Sequence, residues 1–153
     1  GPIFFASFVL MHFVLNSCAS NEAKLTRTAV DFYNTLYQLN GKANVTDFFL
    51  PAVRKQIQKG ESSQYLKFLE EGMAGAKKKP RERVTPKDVK VRISGKFGVS
   101  WAETRQDNPL YQTSPMKWVK VGGRWFLFQG PKEVLEKLGV FPMELLPEQN
   151  EKS

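Results

Sequence analysis

Cysteine and histidine are almost missing from this chain. There is one of each, Cys18 and His12, in 153 residues. A lone cysteine cannot close an internal disulfide, so no covalent cross-link holds the fold. His12 lies inside an apolar run, Ile3 to Leu15, and no imidazole follows it. Everything after that run therefore lacks Ser–His and Cys–His nucleophile pairs, Asp–His acid–base pairs and histidine-ligated metal sites. Glycine-rich phosphate loops are missing as well: no stretch has dinucleotide or P-loop spacing. Charge is absent from the first 21 residues. All 23 basic and 15 acidic residues follow, so the formal net charge of +8 belongs to the remainder. That balance favours acidic partners and says nothing about fold.

What is present begins with IFFASFVLMHFVL, interrupted only by Ser7 and His12. The run is short of the roughly 20 apolar residues a membrane span needs, but it suits the apolar region of a secretory signal. A longer apolar stretch upstream would make it an uncleaved anchor instead. At its end, Leu15-Asn16-Ser17-Cys18 resembles the lipobox of bacterial lipoproteins, with Leu three residues ahead of an obligatory Cys and a small residue just before it. By that resemblance Cys18 is acylated and becomes the N-terminus, and no thiolate remains as a metal ligand. Residues 1–17 are then a signal remnant whose start lies upstream, and 18–23 a lipidated N-terminus and short tether. The alternative is cleavage near Ser17 or Ala19, leaving Cys18 a free thiol. Acyl chains contribute about 0.8 kcal/mol per buried methylene, so the expected address is extracytoplasmic and membrane-anchored. Ala19 after Cys18 resembles outer-membrane sorting, which applies in a bacterium with two membranes.

Along the remaining chain, Ser20-Asn21-Glu22 supplies a helix cap and an acidic first turn. Leu25, Ala29, Phe32, Leu36 and Leu39 recur at helical spacing, widened by Val30, Tyr33 and Tyr37, until Asn40-Gly41. A second helix is expected from Pro51 to Lys59 with Val53 and Ile57 inward. A third opens at Ser62-Ser63 and carries Tyr65, Leu66, Leu69, Met73 and Ala76. Beyond Pro80 the period changes to two. Val89, Val91 and Ile93 alternate with Lys90, Arg92 and Ser94, and Phe97, Val99 and Trp101 return after a Gly95-Lys96 turn. MKWVKV-GG-RWFLFQ reads as a second hairpin, with Val119 facing Phe126 and Trp118 facing Leu127. Gly130-Pro131 starts a short last helix.

Helices followed by an antiparallel meander make one α+β domain over 24–140, with a polar tail over 141–153. The order of elements, and the hairpin WVKVGGRWFL above all, resembles the nuclear transport factor two-like superfamily. That resemblance covers roughly residues 22–130. It implies a cystatin-like cone in which three N-terminal helices pack on a curved, mainly antiparallel four-stranded sheet. It also implies nothing unique about activity, because the fold hosts enzymes and binding modules alike.

On the second strand Glu103 shares a face with Phe97, Val99 and Trp101. If that face lines the cone, apolar surroundings would raise its pKa and suit it as a general base. Trp101, Glu103 and Tyr111 are expected at a cone mouth. Asp31 falls on the polar face of the first helix and reads as solvated. The cluster Lys77, Lys78, Lys79, Arg81 and Arg83 suits anionic headgroups, at about 1 kcal/mol per basic residue near such a surface. Nucleic acid is not expected for an exported chain. Trp118, Trp125 and Leu127 are expected on an outer sheet face that a homodimer would cover. The sequence thus reads as a non-enzymatic, lipid-anchored binding domain for a small apolar or anionic ligand or a partner protein, with no cofactor and no metal. A small lyase or isomerase using Glu103 is the alternative, as is an uncleaved membrane-anchored component of an envelope or secretion complex.

Overall fold

The computed structural model describes residues 21–37, 44–60, 83–102 and 115–148. The helical spacing at the start folds as α1 over residues 21–36. Its inner stripe of Leu25, Ala29, Phe32 and Tyr33 is buried, while Lys24, Arg27 and Asp31 stay exposed. A 3-10 turn, Val45–Phe48, is capped by Asn44, whose side chain accepts from the Thr46 N–H. Helix α2, Pro51–Gln58, begins on proline, where the missing N–H costs nothing, and buries Val53. Leu39, the Asn40-Gly41 stop and the third expected helix lie outside the described residues.

The period-two segments form a four-stranded antiparallel meander, β1 (Val89–Ser94), β2 (Phe97–Ala102), β3 (Met116–Val121) and β4 (Arg124–Leu127), in that spatial order. The second hairpin has the expected register, Val119 opposite Phe126 and Trp118 opposite Leu127. Gly122 and Gly123 both take positive φ, 58° and 78°, as a primed two-residue turn demands. Helix α1 lies on the face carrying Gly98, Ser100, Trp118, Trp125 and Leu127. Gly98 permits the closest approach: a β-carbon there would stand 2.6 Å from Leu25 Cδ2. Phe32 meets Trp118 edge-on at 5.6 Å and Phe48 at 5.4 Å. Side chains of this size contribute about 1.5–3 kcal/mol each when fully buried.

Three expectations change here. Trp118 and Leu127 are fully buried and Trp125 is 4% exposed, all within the single chain. They face α1 rather than an outer surface awaiting a second copy. Conversely, Phe97, Val99 and Trp101 lie on the face away from α1, so this face of β2 does not line the space under the helix. Strand alternation alone cannot say which face a helix takes; the small side chains of Gly98, Ser100 and Ala102 decide it, because they leave room for α1. Finally, residues 141–146 are not a polar tail. Helix α3 (Lys132–Glu136) leads to a segment whose Phe141 and Leu145 are buried, with a 3-10 turn at Met143–Leu145. Phe141 packs on Phe97 and Phe128 with centroids 5.5 and 5.7 Å apart. The domain therefore runs past residue 140 and covers its own outer sheet face. Intervening Pro142 and Glu144 disguise the apolar spacing in the sequence.

Candidate functional site

Polar groups gather around α1 in a buried arrangement and in an open one. The buried one fills the space between helix and sheet. Tyr33 OH and Ser100 Oγ are 3.0 Å apart, and Trp118 Nε1 donates to the same Ser100 oxygen at 2.8 Å. Ser100 and Trp118 are fully buried. Burial pushes the Tyr33 hydroxyl up to about 12, opposed in part by its Ser100 hydrogen bond and reinforced by Tyr37. Tyr37 is also raised by burial. Because the native state keeps the Tyr33 proton where the unfolded chain has lost it, its stabilisation is intact below pH 10 and falls between pH 10 and about 12. The slope should be about 1.4 kcal/mol per pH unit. Thermal melts across that window should show the decline in the native chain and a shallower one in Tyr33→Phe, since Tyr37 still titrates.

The open arrangement is a cleft of about 350 Å³ between α1, the 3-10 turn and the β3–β4 hairpin. Lys24, Arg27, Thr28 and Asp31 come from the exposed row of α1, Asp47 and Phe48 from the turn, and Gly123, Arg124 and Trp125 from the hairpin. Helical spacing brings the four α1 residues onto one side. Three cations thus face two carboxylates. Trp125 contributes an apolar wall, and its indole N–H is buried with no acceptor among the described residues. Buried donors in folded proteins nearly always have an acceptor, which makes this group notable. Lys120 donates to Asn21 Oδ1 at 2.9 Å and sits 6.0 Å from the Trp125 ring, the cation–π pair that the hairpin register implies.

Of the residues singled out from the sequence, Cys18, Lys77, Lys78, Lys79, Arg81, Glu103 and Tyr111 lie outside the described residues. Arg83 is exposed next to the buried Val84. Trp101 is half-buried, with the Arg92 guanidinium 5.1 Å above its ring. The cleft was not foreseen as a site. Its only sequence signal is Lys24, Arg27 and Asp31 on one helix face, which an isolated surface helix would show equally. Among the described residues no group of three or more His, Cys, Asp or Glu side chains is placed to hold a metal, and no helix is long and apolar enough to cross a membrane. A scan against protein-family models finds no match, and searches of the curated proteins and of the solved structures find no significant one.

Proposed function

We propose that this chain is a lipid-anchored, extracytoplasmic binding domain of a bacterial envelope, non-enzymatic, that holds a small anionic ligand in the cleft beside α1. The anchor rests on the sequence Leu15-Asn16-Ser17-Cys18. The binding role rests on one observation, the cleft itself: three cations and the Trp125 side chain line a space of about 350 Å³. A pocket with an apolar wall and a few convergent polar groups is the common form of a small-molecule site. Asp31 and Asp47 in the same lining favour a ligand whose anionic end is compact, such as a carboxylate or phosphate, over a polyanion. The finer reading of the fold, a nuclear transport factor two-like cone, belongs to the same proposal. What supports it is a helix laid across one face of a four-stranded meander.

Protein expressed from its full gene in a bacterial host and extracted with detergent tests both halves. Its intact mass should correspond to a chain starting at Cys18 with acyl groups added. The same material should bind inorganic phosphate or a small dicarboxylate by calorimetry, and Lys24→Ala with Arg27→Ala should weaken that binding about tenfold, as expected for removing two charge-assisted contacts. A species retaining residues 1–17 would remove the lipid anchor. Binding unchanged in the double variant would remove the cleft.

A further inference from the structure

The four strands carry Lys90, Arg92, Lys117, Lys120 and Arg124 and no carboxylate. Beside them, the segment that covers the outer sheet face lifts two apolar side chains into solvent. Val140 is 91% and Met143 60% exposed, although Phe141 between them is buried. Single exposed apolar residues are ordinary. Here the setting is specific. Lys117 Nζ lies 4.0 Å from Met143 Sδ and 5.2 Å from the Phe141 ring centre. On the other side, Lys96 Nζ lies 5.5 Å from the Phe97 ring centre, and a β-carbon at Gly139 would stand 3.7 Å from that same nitrogen. Lys137 is exposed two residues before Gly139. Of the carboxylates on residues 132–144, Glu136 is paired with Lys132 at 3.7 Å, and Glu133 and Glu144 are exposed.

Apolar tips bracketed by lysines, two of them with the ammonium group close to an aromatic ring, have the chemistry of an interfacial contact. The tips can enter the boundary between headgroups and acyl chains while the ammonium groups stay at phosphate level. We infer that residues 139–143 form a docking surface for an anionic phospholipid bilayer, with Val140 and Met143 entering it and Lys96, Lys117 and Lys137 on its phosphates. The inference rests on the membrane address proposed above, but not on acylation of Cys18. It gives the anchored domain a fixed side toward the membrane.

A probe placed on the surface tests this independently of the N-terminus. In the full chain with Cys18→Ser, an environment-sensitive fluorophore on Val140→Cys should shift to the blue on vesicles containing phosphatidylglycerol. The shift should fade as salt is raised, because each lysine at such a surface contributes about fivefold in partition and is screened. A second version carries the fluorophore on Lys137→Cys, and adding Val140→Asp and Met143→Asp there should lower partition about tenfold or more. Both aspartates replace exposed residues, so melts should stay level. A probe that remains in water while the protein sediments with the vesicles overturns the inference, as does an equal response to phosphatidylcholine alone. Acylation is read from the intact mass, so the two failures are distinguishable.

Discussion

Ser100→Ala should lower stability by about 3 kcal/mol, a fall of roughly 10 °C in melting temperature for a domain of this size. The side chain removed is small, and the cavity it leaves is minor. The cost comes from what it abandons. Ser100 Oγ is the acceptor for Trp118 Nε1 and the partner of Tyr33 OH, and both groups lie in the core between α1 and the sheet. Each buried polar group left without a partner costs about 1–3 kcal/mol. Tyr33→Phe in the Ser100→Ala background should recover part of the loss, because it deletes one of the two orphans. Denaturant titration of the two single variants and the double variant closes the cycle. If Ser100→Ala melts within a degree or two of the native chain, the hydroxyl is not the hub of this network.

Asn34→Ala should cost about 2–4 kcal/mol and loosen a particular segment. Asn34 is buried on α1, where an asparagine is a poor helix former and needs a reason. Its amide accepts from the Val84 N–H at 2.8 Å and donates to the Val84 carbonyl at 3.0 Å. This side chain therefore acts as one rung of a ladder for backbone that has no strand neighbour there. It holds the entry to β1, where Thr85 and Asp88 close a capping box. Alanine leaves both Val84 groups unpaired, and amide exchange should accelerate over residues 83–88 ahead of the sheet. Asn34→Asp is the sharper variant. At neutral pH its carboxylate still accepts from Val84 N–H but faces the carbonyl without a proton to donate. Stability should return as pH falls and the acid protonates, opposite in sign to the usual acid destabilisation of a paired carboxylate.

The elements that the sequence made legible are those whose pattern is local. Hairpin register follows from Gly122-Gly123 and from alternation, and the stripe Leu25, Ala29, Phe32 and Tyr33 announces α1 whatever it packs on. Which face of the sheet receives α1 is not local. It depends on Gly98, Ser100 and Ala102 being small together, and on Phe141 arriving from much later in the chain to cover the opposite side. Asn34 was invisible for the same reason, since its meaning depends on Val84, far away in sequence. The cleft suffered most. Its residues come from three separate segments, each unremarkable alone, and the unpaired Trp125 donor becomes evident only when its surroundings are placed.

The outer cover of the sheet also orders events in time. Synthesis proceeds from the N-terminus, so β1 to β4 emerge before Phe141 and Leu145. Until those two arrive, Phe97, Val99, Val119 and Phe126 form a bare apolar sheet face. Such a face on a half-made chain is open to wrong partners. The domain thus completes itself only once its covering segment is free of the ribosome.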